Sequence, residues 1–183
     1  MISRIAFRTI GLIAVLVFFN SCTHAYHIKG FDADPANLKS SKSKKVAVVF
    51  LEPEFRQQYI SSSQGHKFIF ENTKAFYEQA YTSALRDSVS SVEFFTKEPG
   101  PGFDIYLYPE LKLEVKSRGL GSVCEAEYEL VSKDKNGREI ARRSKSFEHS
   151  FMLIANANEA CTIAMLNTFD EVTYGIFQSM DGL

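Results

Sequence analysis

Residues 103–115 read FDIYLYPELKLEV, which is the clearest structural pattern in the sequence. Apolar side chains stand at nearly every second position, and polar or amphipathic ones fill the positions between. Because successive side chains of a β-strand point to opposite faces, this alternation predicts a long strand. One face would lie on a core, and the other would meet water or a partner.

The segments that follow predict two further strands. Residues 123–133 alternate in the same way, which indicates a strand that returns antiparallel to the first. The pair Asn136-Gly137 is a strong hairpin signal and leads into a third antiparallel strand that ends near Phe151.

The residues before position 103 predict one strand, one loop, one helix and a second short strand. The continuous apolar run 46–51 is typical of a buried central strand. Residues 54–67 are polar and contain SSSQG, which predicts a loop. Apolar residues recur at helical spacing over 70–89, and 92–95 is a short apolar stretch that predicts a strand.

A last helix is predicted to be capped by Asn156 or Asn158 and to run to about Met180. The order of elements is then β-α-β-β-β-β-α. We therefore predict an α+β fold with a single, mostly antiparallel sheet and two helices packed on one face.

The N-terminus predicts export. Residues 1–8 contain two arginines and no acid, and an apolar run over 10–19 follows. This is the pattern of a secretory signal, and the run is shorter than the roughly 20 apolar residues that span a membrane. An ordinary secretory signal would leave Cys22 as an incidental thiol, but its position directly after Ser21 favours a lipoprotein.

Phe19-Asn20-Ser21-Cys22 resembles the bacterial lipobox, although leucine is usual where Phe19 stands. The resemblance implies cleavage before Cys22, a diacylglycerol thioether on its sulfur and an acyl chain on the new amino group. We therefore predict a signal peptide over 1–21, a lipidated N-terminus and flexible tether over 22–45, and a periplasmic domain over 46–183. The residue after Cys22 is Thr23 and not aspartate, which resembles the outer-membrane address of lipoproteins in enteric bacteria.

The remaining sequence offers little chemistry. The formal charge of −1 does not indicate the excess of basic residues that nucleic-acid binding needs. His24 and His27 are spaced like a metal pair but have no further ligand nearby in the sequence. Ser63 and His66 lack the strand–turn–helix elbow that would make a serine reactive. We therefore predict no catalytic residue, no metal site, no cofactor and no enzyme activity.

The water-facing side of strand 103–116 supplies a candidate contact surface for a protein partner or a lipid. Its four candidates are Tyr106, Tyr108, Lys112 and Lys116. The return strand places Glu125, Glu127 and Glu129 on the same side, where Lys112 or Lys116 would offset their charge across the strands. An apolar pocket beneath a helix would favour a lipid carrier, whereas a packed core would favour a protein partner.

Cys124 and Cys161 are candidates for a disulfide. Alternation places Cys124 on the core side of its strand, and helical spacing places Cys161 on the packing stripe of the last helix. These two faces should meet, and an exported domain sits where disulfides persist. The alternative is a pair of buried free thiols.

Residues 105–180 resemble the YajG-like small envelope lipoproteins in their order of elements and in the Asn136-Gly137 turn. The segments 26–30 (YHIKG) and 126–129 (AEYE) resemble the lipopolysaccharide-assembly lipoprotein of the outer-membrane translocon. The resemblances inform fold and location more than activity. The predicted lipid anchor, the small sheet-and-helix domain and the lack of site chemistry lead to the hypothesis of a non-catalytic outer-membrane lipoprotein that binds a protein partner in envelope assembly or transport. The alternative hypothesis is a lipid or glycolipid carrier or chaperone of the lipopolysaccharide-assembly type, with the four candidates on strand 103–116 as its contact surface.

Overall fold

The computed structural model describes residues 22–30, 33–34 and 42–180. The predicted signal peptide over 1–21 lies outside the described residues, as does most of 31–41. The strands are β1 (Cys22–His27), β2 (Lys45–Val49), β3 (Gln58–Ser63), β4 (His66–Glu71), β5 (Ser91–Phe95), β6 (Ile105–Arg118), β7 (Gly121–Asp134) and β8 (Glu139–Phe151). The helices are α1 (Thr73–Leu85) and α2 (Ala157–Met180), and a 3-10 turn (Ile154–Asn156) precedes α2.

The α+β class is confirmed, but the prediction of a single, mostly antiparallel sheet is wrong. The strands form a three-stranded sheet in the order β1-β4-β3 and a five-stranded sheet in the order β5-β2-β6-β7-β8. Both sheets are mixed, because β1 runs parallel to β4 and β2 runs parallel to both β5 and β6. Hydrophobic alternation predicts which residues form strands, but it does not encode the direction in which a distant strand pairs.

The long hairpin was predicted correctly. β6 and β7 pair antiparallel from Ile105 opposite Asp134 to Arg118 opposite Gly121. β8 continues this antiparallel order, and the run 46–51 contains β2, which lies between β5 and β6.

The predicted loop over 54–67 is wrong, because most of it forms the hairpin β3–β4. The two strands pair antiparallel, and the turn between them uses positive φ at Gln64 and Gly65. One face of the hairpin buries Tyr59, Phe68 and Phe70 in the core. The serines of β3 hide this pattern in the sequence because they resemble loop composition.

The predicted flexible tether is also wrong at its beginning. Residues Cys22–His27 form β1, which pairs along the edge of β4 from Cys22 opposite His66 to His27 opposite Glu71. An open sheet edge offers unpaired N–H and C=O groups, and β1 satisfies those of β4. Residues 31–32 and 35–41 of the predicted tether lie outside the described residues.

The helices lie on one face of the five-stranded sheet. α1 begins later than predicted because 66–71 extend in β4 and Asn72 adopts a left-handed φ of 64°. α2 spans the predicted range and packs against β7 and β8. One core cluster joins both helices to the inner faces of both sheets.

Candidate functional site

Cys22, the predicted lipidation residue, is the first residue of β1. Its side chain is exposed and forms no disulfide. The strand pairing places it opposite His66, next to the β3–β4 turn. The sulfur is therefore accessible to modification, and its lipidation stays a prediction.

The two candidate tyrosines are packed beneath a loop. The Tyr108 hydroxyl donates to Glu98 Oε2 at 3.0 Å, and the Tyr106 hydroxyl donates to the carbonyl oxygen of Gly100 at 3.4 Å. The ammonium group of Lys133 lies 4.4 Å from the centroid of the Tyr108 ring. Burial, with a smaller contribution from Glu98, raises the pKa of Tyr108 to about 12. Both side chains are thus held by residues 98–100 and are only partly accessible.

The two candidate lysines lie further along the same face of β6, in a lattice of ion pairs. Lys112 Nζ contacts Glu127 Oε2 at 3.0 Å, and Lys116 hydrogen bonds to Glu125. Hydrogen bonding to these carboxylates raises the pKa of both lysines, and Lys116 lowers the pKa of Glu125. The predicted charge compensation across the strands is therefore present.

The structure thus divides the predicted contact surface into two environments. The tyrosines belong to a packed patch under the β5–β6 loop, and the lysines belong to a mixed-charge lattice that continues onto β8 through Arg142 and Glu129. Ion pairs at such exposed positions are weak and can exchange partners. This face therefore offers alternating charges to a partner and not an open aromatic and cationic surface.

Aromatic rings fill the space between the helices and the five-stranded sheet. Tyr77 stacks on Tyr128 with ring centroids 4.9 Å apart, and Phe169 packs edge-on against Tyr81 at 5.1 Å. The Tyr81 and Tyr128 hydroxyls hydrogen bond to each other, and all four side chains are fully buried. Burial raises the pKa of Tyr77, Tyr81 and Tyr128 well above the ordinary value.

Cys124 and Cys161 are joined by a disulfide that links β7 to α2. Their Cα atoms are 5.1 Å apart, within the separation that a disulfide requires. Both residues are fully buried in the core cluster.

The histidines do not assemble in the way their spacing suggests. Alternation along β1 separates His24 and His27 onto opposite faces, and His24 Nε2 lies 3.1 Å from His66 Nδ1. Ser63 pairs with His66 across the β3–β4 turn, but its buried hydroxyl makes no hydrogen bond within the described residues. In the described part of the chain, no three His, Cys, Asp or Glu side chains are grouped so that they could hold a metal ion.

Several turns meet at the end of the molecule where Cys22 lies, and the sequence did not predict this. Gln64, in the β3–β4 turn, donates to Ser117 Oγ at 2.7 Å and to the carbonyl oxygen of Gly121 at 3.2 Å. The β6–β7 turn therefore lies beside the β3–β4 turn, and Cys22 pairs with His66 at the end of that same β3–β4 turn. Phe151 pairs with Ser122, so residues 152–153, which leave β8, emerge at the same place. We call the group of Cys22, 64–65, 119–120 and 152–153 the anchor end. The sequence did contain one sign of an unusual turn here: Leu120 lies between two glycines, where polar residues are usual.

No family model and no curated protein matches this chain. Solved structures do match. Protein XCC0632 from Xanthomonas campestris, described under the family model DUF330, has 13% sequence identity and a TM-score of 0.65, with 87% of this chain and 97% of that chain covered. Hypothetical protein CT253 from Chlamydia trachomatis has 11% identity and a TM-score of 0.49, over 77% and 99% of the two chains. A minor lipoprotein from Acinetobacter baumannii has 11% identity and a TM-score of 0.42, over 76% and 93%.

The likeness to the Xanthomonas protein shows the fold alone: the same α+β arrangement occurs in that protein. The resemblances to the YajG-like and lipopolysaccharide-assembly lipoproteins stay predictions. None of the helices in the described ranges has the length and apolar character needed to cross a bilayer. The chain is thus similar to the Xanthomonas protein in fold, and this likeness assigns it no activity.

Proposed function

We propose that this protein is a lipid-anchored lipoprotein of the bacterial envelope, held in the outer membrane with its domain in the periplasm. The domain is not an enzyme; it is a protein-binding or accessory subunit in outer-membrane assembly or transport. The observation that carries the proposal is Cys22. It is exposed and unbonded, it follows a sequence that resembles a lipobox, and the other two cysteines are joined to each other.

The aromatic core favours a protein partner over a lipid ligand. A carrier of acyl chains needs an apolar cavity beneath its helices, because the chains must leave water. In this domain the rings of Tyr77, Tyr81, Tyr128 and Phe169 occupy the helix–sheet interface. The domain is therefore best suited to present a surface, and the mixed-charge lattice on β6–β8 would give such a contact specificity more than affinity.

Lipidation is tested by growing cells with an alkyne analogue of palmitate and comparing Cys22→Ser with wild type. Wild-type protein should take up the label and the variant should not, because the variant lacks the acylated sulfur. The Thr23→Ala variant is the matched control, since it changes a neighbouring exposed residue and keeps the cysteine. Equal label in wild type and Cys22→Ser would contradict the proposal.

Native mass spectrometry of the purified lipidated protein separates a partner-binding domain from a carrier. We expect the measured mass to equal that of the chain plus its covalent acyl groups, with no additional lipid bound to every molecule. A second, non-covalent lipid on every molecule would instead support the carrier.

The partner surface is tested with a photoreactive amino acid at Lys112, in the charge lattice, and at Lys135, in the β7–β8 turn, as a control. A discrete crosslinked envelope protein is expected at position 112 and not at position 135. Identical crosslinks at both positions would argue against the lattice as the contact surface.

A further inference from the structure

The described residues contain five large apolar side chains that are exposed, and three of them lie at the anchor end. Leu120 is 97% exposed, Met152 is 80% exposed and Leu153 is 66% exposed. The other two, Ile60 and Tyr174, lie on β3 and α2. Single exposed apolar residues are ordinary, but a group of them at one place marks a surface that meets another apolar phase.

Leu120 and Met152 are neighbours across the sheet. The β6–β7 turn brings Gly121 against the end of β8, where a Cβ atom on Gly121 would lie 3.8 Å from Met152 Cγ. The two apolar side chains therefore emerge from adjacent chain segments. Leu153 follows directly and leads to Ile154, whose carbonyl oxygen accepts a hydrogen bond from the Tyr26 hydroxyl at 2.7 Å. This bond ties the segment to β1, the strand that Cys22 begins.

The opposite end of the five-stranded sheet provides an internal comparison. The β7–β8 turn is also tight, but its residues 134–139 read DKNGRE. Asp134 caps that turn through hydrogen bonds to Asn136 and Arg138, as expected for a turn in water. In the β6–β7 turn, Gly119 supplies the positive φ of 59°, and Leu120 is left pointing into solvent. Turn geometry does not require a leucine at this position.

We propose that the anchor end rests directly on the phospholipid bilayer and that Leu120, Met152 and Leu153 insert into its interfacial region. The inference depends on the proposed lipidation of Cys22. Because Cys22 is itself the first residue of β1, the acyl chains would attach to a folded strand without a spacer. The anchor end is then held at the headgroups, where exposed apolar surface gains free energy on leaving water.

The contact is apolar and not electrostatic. Beside the β6–β7 turn, Arg118 is paired with Glu148 at 2.6 Å, and on β4 Lys67 lies opposite Thr23 in the sheet. One ion pair and one lysine give little attraction to anionic lipid. The three apolar residues would therefore fix the orientation of the domain, with the charge lattice on β6–β8 rising away from the membrane.

The test uses the mature, lipidated protein with one added cysteine. Acylation blocks Cys22, and Cys124 and Cys161 are bonded, so a nitrobenzoxadiazole dye would label only the new position. Leu120→Cys and Met152→Cys are the test variants, and Tyr174→Cys and Lys135→Cys are matched exposed controls. All four positions are exposed, so labelling should leave the fold intact.

Labelled proteins are reconstituted into vesicles of phosphatidylethanolamine and phosphatidylglycerol, with and without lipids that carry a doxyl quencher. The dye at 120 and 152 should emit at shorter wavelength and lose most of its fluorescence to the quencher, and the dye at 174 and 135 should do neither. The difference should persist when phosphatidylcholine replaces phosphatidylglycerol. In addition, Leu120→Ser should lower the membrane-inserted fraction of a dye at 152 by up to about tenfold.

Acylated protein whose dye at 120 is as water-exposed as the dye at 174 would overturn this inference and leave the lipoprotein proposal standing. A blue shift at 120 without quenching by doxyl lipid would indicate a protein contact and would also overturn it. Intact protein without acyl mass that fails to float with the vesicles would overturn the proposed function and this inference together.

Discussion

Replacing Cys124 and Cys161 together by alanine removes the disulfide that links β7 to α2. The two cysteines are separated by 37 residues in the sequence, and reduction frees that segment in the unfolded chain. The loop-entropy relation then gives a loss of about 4 kcal/mol in the free energy of unfolding at 25 °C. Domains of this size unfold with about 5–15 kcal/mol in total, so the loss is a large share of the stability.

In a thermal melt this loss corresponds to a decrease in Tm of roughly 10 °C for a domain of about 160 residues. The measurement is a melt of the mature protein in detergent, followed by circular dichroism, for wild type and the double variant. Dithiothreitol should lower the Tm of wild type to that of the variant and should leave the variant unchanged. A thiol reagent should count no free cysteine in denatured, lipidated wild type.

Two results would refute this reasoning. If the double variant melted at the same temperature as wild type, the bond would carry no stability. If denatured wild type released two thiols after preparation under oxidising conditions, the two cysteines would be ordinary buried thiols.

Three further predictions concern the core and the outer surface. Tyr128→Phe should lower the free energy of unfolding by about 1–3 kcal/mol, because the buried Tyr81 hydroxyl loses its partner, and the double variant Tyr81→Phe/Tyr128→Phe should regain most of this loss in urea titrations. Burial raises the pKa of Tyr59 to about 12, above its unfolded value near 10. Neutral Tyr59 therefore stabilises the fold fully below about pH 10, and this stabilisation is lost as the pH rises from about 10 to 12. An unchanged midpoint of urea unfolding between these two pH values would contradict the prediction. Lys112→Ala should leave the Tm unchanged because its pair with Glu127 is exposed, and a clear decrease would show that the lattice is structural.

The elements that could be predicted from sequence are those whose signal is local. The hairpin β6–β7 follows from alternation within one stretch, and the turn into β8 follows from Asn136-Gly137. α2 follows from helical spacing over 157–180. Strand alternation and helical spacing together predicted that Cys124 and Cys161 face each other, because each cysteine lies on the buried side of its own element.

The missed elements depend on partners that are distant in the sequence. β1 and β3 are short and rich in polar residues, and their pairing is fixed by contacts outside their own segment. The Ser61 hydroxyl accepts a hydrogen bond from the backbone N–H of Val115 at 2.8 Å, which joins β3 to β6 across 54 residues. β2 is apolar enough to be recognised as a strand, but its parallel pairing depends on where the chain returns after α1.

The amino-acid sequence was enough to predict the α+β class, the long hairpin, the last helix and the candidate roles of Cys22, Cys124 and Cys161. These depend on residue type and on periods of two or 3.6 residues, which are properties of a single segment. The tertiary structure was needed to show that Tyr106 and Tyr108 lie under a loop, that Lys112 and Lys116 are paired, and that the β6–β7 turn, which carries Leu120, meets the β3–β4 turn. Strand direction and the meeting of separate turns are set by packing among distant segments, and no local pattern encodes which ends come together.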